Sequence, residues 1–473
     1  MPPERSERGR RLPSVIACLA ACVLAAFSGL GGCRSHASAP PTSGGAGAEP
    51  GVSITPMSFP QPVLTAWCSV VFLGTDGVVY EWAPAFAHAD DLAKKEAILA
   101  GKAVPLYRPD PGWAMVAFVP APSRQYVAVL ESPAPGQGPA RRVTILETGP
   151  ARARHLVPPE GFLSEVISVQ WSGAELLLVN GPHPLVFSVT EGSISPFWDL
   201  GTLAPPGSEF EVLRPLGDLD FSRVAFTRSG DPTTGDANLW VISRDALAPE
   251  PVRVTTGDLG VYPVAWLGVN NDCSSFEGPG EYLLVEVKAG PAGSEGAKDL
   301  AVVNVRTKEI QAWHQPGETS YGFIFLYRAG GRALIASANA ATGQDRRLLW
   351  HWLKNGQETE VTELRGLVAE GAAEASSVLD SAVVLVEREA SPGGHVRHEV
   401  WRVSGNGMAF KIGDITPGLD AHILGGTSHQ AVLMTVAGTA GNPAGGSAAV
   451  FLLADPANYR LLTVELQAAA GGE

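Results

Sequence analysis

The chain is expected to be all-β, a β-propeller of four-stranded blades, on three observations. Alternating apolar runs come in pairs joined by polar turns. The pairs recur at a near-constant interval, and helical periodicity is nearly absent. The stretch 220–243 shows the unit. Val224, Phe226, Leu239 and Val241 are apolar at alternate positions, and Gly230 to Asp236 between them form a polar turn. A lone hairpin is marginal in water, so its recurrence decides the architecture.

Such pairs begin near positions 71, 126, 175, 223, 282, 332, 382 and 431, a period of about 52 residues. Regular repetition of paired strands on that scale points to a propeller. Most units offer an earlier strand (VISVQWS, VYPVAWLG, FIFLYRA, AHILGG) and a later one (AVPLYR, EPVRVT, EVTEL, RLLTVEL). The turns between third and fourth strands use Glu191-Gly192, Asn355-Gly356 and Gly405-Asn406-Gly407, which tolerate positive φ. Eight blades are expected, with seven as the alternative, because VLTAWCSVVFL in the first unit lacks a clean turn. RLLTVEL is expected to lend a strand to that unit and close the ring. ADDLAKKEAILAGK, residues 89–102, reads as a helical insertion in the first blade, with Asp90 as N-cap and Gly101 as stop.

The N-terminus reads as an export signal. Arg5, Arg8, Arg10 and Arg11 precede an uncharged stretch from Leu12 to Cys33. The expected domains are a signal peptide at 1–32, a Ser/Pro/Gly/Ala-rich tether at 33–58, the propeller at 59–468 and a disordered tail at 469–473. The formal charge is −14. The signal holds four Arg and two Glu, so the rest carries −16, which argues against nucleic acid and anionic membrane surfaces as partners. Of the five cysteines, Cys18 and Cys22 lie in the signal, leaving Cys33, Cys68 and Cys273. By blade count Cys68 and Cys273 fall on opposite sides of the ring, so no disulfide between them is expected.

Leu30-Gly31-Gly32-Cys33 resembles the lipobox of bacterial lipoproteins. The resemblance implies cleavage before Cys33, a diacylglyceryl group on its thiol, and a folded part held outside the cytoplasm. An uncleaved membrane anchor is the alternative. Arg34 in place of Asp favours the outer membrane. WSGAELLLVNGPHPLVFSV and FSRVAFTRSGDPTTGDANLWVIS resemble the WD40-like repeats of TolB-type propellers, although the Pro-Asp-Gly turn of that family is missing from every unit. Asn304 to Trp313 is similar to the tryptophan motif of eight-bladed, pyrroloquinoline-quinone-type propellers.

Chemistry is harder to read. No Gly-x-Ser-x-Gly elbow occurs, and Gly425-Gly426-Thr427-Ser428-His429 reads as a turn. His351 lies in a strand. His395 and His398 are spaced for a metal only on a helix, and on a strand they would face opposite ways. Asp231 and Asp236 read as turn residues. Trp171 and Trp266 end inner strands, Trp240, Trp350, Trp352 and Trp401 lie in third strands, and packing between blades accounts for most of them. No catalytic residue, metal or cofactor is assigned. The long Gly/Pro/Ala-rich loops between second and third strands should gather on one face. The expected role is a monomeric, lipid-anchored scaffold binding another envelope protein. The alternative is a hydrolase or lyase acting on envelope polysaccharide or peptide, which a cluster of Asp, Glu, His or Tyr at the channel mouth would favour.

Overall fold

A computed structural model of the chain describes residues 52–65, 69–83, 98–121, 126–133, 142–149, 155–156, 168–171, 176–180, 185–196, 211–218, 222–229, 237–243, 251–256, 260–267, 281–288, 298–312, 318–327, 331–353, 355–376, 380–388, 396–426, 432–438 and 447–469. Among them the chain is all-β. The single helical turn is a 3-10 turn at Thr362–Leu364.

Six sheets have four antiparallel strands each, in sequence order. The N-terminal strand β1 is Ser53–Ile54, and strands β2 to β5 are Val63–Leu64, Val70–Leu73, Val79–Trp82 and Ile98–Tyr107. The first four-stranded sheet holds β6 Trp113–Pro120, β7 Tyr126–Pro133, β8 Arg142–Glu147 and β9 His155–Leu156. The second holds β10 Ser168–Trp171, β11 Leu176–Asn180, β12 Leu185–Ser188 and β13 Ser193–Pro196. The third holds β14 Glu211–Gly217, β15 Arg223–Ser229, β16 Asn238–Ser243 and β17 Val252–Arg253. The fourth holds β18 Gly260–Leu267, β19 Tyr282–Lys288, β20 Lys298–Asn304 and β21 Ile310–Ala312. The fifth holds β22 Thr319–Tyr327, β23 Arg332–Asn339, β24 Arg347–Trp352 and β25 Glu358–Glu360. The sixth holds β26 Val368–Ser376, β27 Ser381–Arg388, β28 Arg397–Ser404 and β29 Ala409–Asp414. The last strands are β30 Leu419–Gly426, β31 Val432–Gly438, β32 Ala449–Asp455 and β33 Arg460–Ala468.

All the hairpins read from the sequence are antiparallel pairs, the opening one with Val224 opposite Ile242 and Phe226 opposite Trp240. Alternation buries one set of side chains against each neighbouring sheet. Apolar clusters join β2–β5 to the β6–β9 sheet, that sheet to β10–β13, and, from β14–β17 onward, each sheet to the next as far as β30–β33. The β10 and β14 sheets are tied by Gln170, whose side chain donates to Pro215 O at 2.5 Å and accepts from Gly217 N at 3.2 Å. A final cluster packs Phe72, Tyr80 and Trp82 against Phe451, Leu453 and Leu466, bringing the two ends of the chain together. The arrangement is propeller-like.

The two ends are also joined by hydrogen bonds. A nine-stranded sheet runs β2-β3-β4-β5-β33-β32-β31-β30, with β1 on β33. RLLTVEL does pair with the first unit, but along its outer strand and in parallel, Thr463 opposite Ile98 through Ala468 opposite Ala103. That pairing corrects the helix expected at 89–102. Ile98 to Lys102 are strand, hydrogen-bonded to β33, and β4 pairs β5 from Ala103 to Tyr107. The remainder, 84–97, lies outside the described residues. Gly101 stops no helix: a Cβ there would lie 2.5 Å from Trp82 Nε1 and 2.9 Å from Leu466 Cδ2, so glycine lets the two strands meet. EVTEL is strand only at its start, since β25 ends at Glu360.

The tight turns follow their residues. Gly192, Gly356 and Gly407 have φ of 64°, 69° and 86°. Asn304 starts the turn of the proposed tryptophan motif, its Oδ1 accepting from Arg306 N and Thr307 N, while Lys308 takes φ 66°. Trp313 lies outside the described residues.

Candidate functional site

Within each hairpin-built sheet, the start of the first strand, the end of the second and the start of the third lie at the same end. Three ionisable clusters occur there.

The first is structural in character. Glu131 near the end of β7 is fully buried and receives both Nε (2.8 Å) and Nη2 (2.8 Å) of Arg142, together with Thr144 Oγ1 (2.7 Å) and Tyr107 Oη (3.0 Å). Arg142 also stacks on Trp113 and donates to Asp110. Burial and the Glu131 charge push the Tyr107 hydroxyl up to about 12. Every acceptor position is filled, so this network fastens β5 to the β7–β8 hairpin.

The second lies on β28. Glu399 is held by Arg388 (2.9 and 3.2 Å), Lys411 (3.1 Å) and the indole N–H of Trp401 (3.1 Å). Burial alone would raise its pKa, but these donors prevail and hold it at about 2. It is a fixed anion with its charge neutralised.

The third differs in kind. His398, next to Glu399 and therefore on the opposite face of β28, is buried and reaches toward β30. Its Nδ1 lies 3.1 Å from Leu419 O, and its Nε2 lies 3.0 Å from Glu370 Oε2. A carbonyl can only accept, so Nδ1 carries a hydrogen. Nε2 and Glu370 Oε2 then share one further proton, held as a carboxylic acid or as an imidazolium. Glu387, paired across the strands with His398, is a second carboxyl group close to Glu370. Burial and the Glu387 carboxyl group raise the Glu370 pKa against the opposing pull of His398. From β30, His422 keeps solvent access, yet desolvation by the packed strands and the His398 charge lower its pKa, with Asp420 opposing.

The backbone explains how a glutamate comes to sit there. Six inner strands slip in register against their second strands, β14 between Leu213 and Leu216. The unpaired extra residue is Val116 in β6, Val264 in β18, Ile324 in β22 and Leu424 in β30. β26 slips twice, at Ala375 between Glu374 and Ser376, and at Glu370 between Ala369 and Gly371. A bulge re-aims its side chain and is over-represented beside active sites. Here it swings a carboxyl group over β27 to the imidazole of β28. The site is an acid–base cluster.

Nothing in the sequence pattern marks Glu370 or Glu387, and the spacing of His398 from His395 suits a metal only on a helix. Among the described residues no group of three His, Cys, Asp or Glu side chains has metal-binding geometry. His351 is buried in β24 with Nδ1 3.0 Å from Glu358, remote in sequence from the cluster. Gly425 and Gly426 are the last residues of β30, and Thr427 to His429 lie outside the described residues. Cys33, Cys68, Cys273, Asp231, Asp236 and His395 lie outside the described residues. The tryptophans pack between sheets as expected: Trp171 donates to Val119 O at 2.8 Å, Trp266 to Leu216 O at 3.1 Å and Trp350 to Ser404 O at 2.9 Å.

No protein-family model matches the chain. No curated protein matches it. Among solved structures, a prolyl endopeptidase is similar at 10% identity and a TM-score of 0.49, over 80% of this chain and 52% of that one. The chain thus spans about half the length of that enzyme. An oligogalacturonate lyase in complex with manganese is similar at 11% identity and a TM-score of 0.42, over 66% of this chain and 81% of that one. A putative TolB from Agrobacterium tumefaciens is similar at 13% identity and a TM-score of 0.33, over 56% and 85%.

Proposed function

We propose that the chain is a propeller enzyme of the cell envelope, a hydrolase or lyase that moves protons at Glu370, Glu387 and His398. The observation that carries this reading is the bulge that delivers Glu370 to His398 Nε2 at 3.0 Å, with the imidazole oriented by the Leu419 carbonyl. A neutral carboxylic acid beside a carboxylate supplies an acid and a base at one pH. Glu370 would give its proton to the leaving group of a bound polysaccharide or peptide. Glu387 or the His398 imidazole would take one from water or from a carbon acid. Assay of the full chain, Glu370→Gln and His398→Gln against envelope polysaccharides and peptides, with products followed by mass spectrometry, tests it. Turnover by the wild type that falls at least 100-fold in both variants is expected. Turnover unchanged in either variant, or none with any substrate, overturns it. The scaffold reading rests on loops outside the described residues.

The same reading takes the nine-stranded sheet as two blades, β2–β5 and β30–β33, joined along their outer strands. With the six four-stranded sheets that supports eight in all. It also retains a diacylglyceryl group on Cys33 and an outer-membrane site for the monomer, both supported by the sequence alone. Loss of labelled fatty acid in Cys33→Ala is expected.

A further inference from the structure

The acid–base cluster is not isolated from the rest of its face. Residues 52–58 run as an extended strap across the junction of first and last strands. Thr55 O accepts from Thr75 N at 2.9 Å, Met57 N donates to Leu73 O at 2.7 Å, and Pro56 O accepts from Ala449 N at 2.7 Å. Ile54 is buried in the cluster that joins the chain ends. The strap then grips Ser447, two residues before β32. Ser58 N donates to Ser447 O at 2.8 Å, and Ser447 N donates to Ser58 Oγ at 3.0 Å. Ser447 Oγ in turn donates to Gly438 O at 2.8 Å, which closes the base of the β31–β32 connection. Gly438 is the cross-strand partner of Leu419. Leu419 is the residue whose carbonyl fixes the His398 ring.

From this continuity we propose that the strap, Val52–Ser58, is a positioning element for His398, and that the imidazole is held at Glu370 only while the strap is docked. The inference rests on the acid–base reading of that pair. The groups facing His398 are Glu370 on β26, Glu387 on β27 and His422 on β30, with Asp420 beside His422. The hydrogen-bonded route from the strap to the imidazole runs through Ser447, Gly438 and Leu419, beside the apolar cluster that Ile54 shares with Leu424 of β30 and Leu433 of β31. A carbonyl free to shift by a few tenths of an ångström would release the Nδ1 hydrogen bond and let the ring exchange tautomers.

The test uses the full chain with 15N-labelled histidine and follows each imidazole by NMR as a function of pH. The His398 signals are assigned by their loss in His398→Gln. Two strap variants are compared, Ser58→Ala with Ser447→Ala, and a milder Ser58→Ala alone. The expected result is a His398 midpoint moved by at least 0.5 pH unit and a second tautomer in the double variant, a smaller change in the single one, and an unchanged His351. A His398 titration identical to wild type in the double variant overturns the strap. If the double variant unfolds, the single variant decides by the same criterion. The acid–base reading fails separately, if Glu370→Gln leaves the His398 midpoint where it was.

Discussion

Trp266 on β18 donates its indole N–H to Leu216 O on β14, 3.1 Å away, across the seam between two sheets. Trp171 does the same from β10 to Val119 on β6 at 2.8 Å. Both rings are buried, so each bond is a bolt between inner strands that water cannot replace. Trp266→Phe keeps most of the apolar contact and orphans a buried carbonyl, which costs about 1–3 kcal/mol. Trp240 is half-buried and meets Arg228 at 5.3 Å from its ring. Trp240→Phe should therefore cost less than about 1 kcal/mol. Urea unfolding of the two variants should separate them, and equal midpoints would refute the bolt.

Gly101 marks where β5 passes between Trp82 and Leu466. Gly101→Val forces a branched side chain into that contact and should cost about 2–4 kcal/mol, in the range of overpacked cores. Gly322 in β22 has open space around its Cβ position and supplies the control. Gly322→Ala should move the thermal midpoint by no more than a degree or two, whereas Gly101→Val should lower it by several degrees.

Glu399 titrates at about 2, below the ordinary carboxylate value of 4.5. Its folded-state pKa is depressed, so its stabilisation is complete above the unfolded value and is lost as pH falls from about 4.5 toward 2. Screening of Arg388 and Lys411 by solvent limits the effect to about 1–2 kcal/mol. Glu399→Gln should be less stable than wild type at pH 7 and indistinguishable from it near pH 2. A difference that persists at low pH would assign the loss to packing instead.

Glu370 has the opposite sign. Its raised folded-state pKa means that its contribution is fully present below the unfolded carboxylate value and is lost as pH rises through the folded one. Glu370→Gln removes that penalty and keeps a donor toward His398 Nε2. The variant should therefore be more stable than wild type at pH 8, with the difference shrinking toward pH 4. Functional groups often carry such a cost. A Glu370→Gln protein less stable than wild type at pH 8 would make the carboxylate a structural ion partner and nothing more.

The strands were legible because period-two alternation survives in nearly every unit, and Val224, Phe226, Leu239 and Val241 are all buried as that pattern requires. Residues 98–102 were misread for a physical reason. Ala, Leu and Lys there favour helix locally, but β33 offers a hydrogen-bonding edge from the far end of the sequence, and pairing overrides propensity. The acid–base cluster was invisible for a related reason. Glu370, Glu387 and His398 sit on three strands, and only a one-residue slip between Ala369 and Gly371 makes the first of them reach the third. No spacing rule encodes a bulge. The hint that existed was compositional: a glutamate at one of the slipped positions, where the other extra residues are Val116, Val264, Ile324, Ala375 and Leu424.

The parallel pairing of β5 with β33 has a consequence for how the molecule comes to be made. Ile98 meets Thr463 only after roughly 365 further residues have been synthesised. Every four-stranded sheet in between is built from neighbours in sequence and can form early, while this contact, like those of the N-terminal strap with β33 and Ser447, carries a large loop-closure cost. Until it forms, β5 presents an unpaired outer edge, and so does β33. Two incomplete rings that meet in that interval can satisfy each other, β33 of one adding to β5 of the other. Refolding at high protein concentration should accordingly divert chains into exchanged dimers that retain every native strand pair, and dilution during refolding should return them to single closed rings.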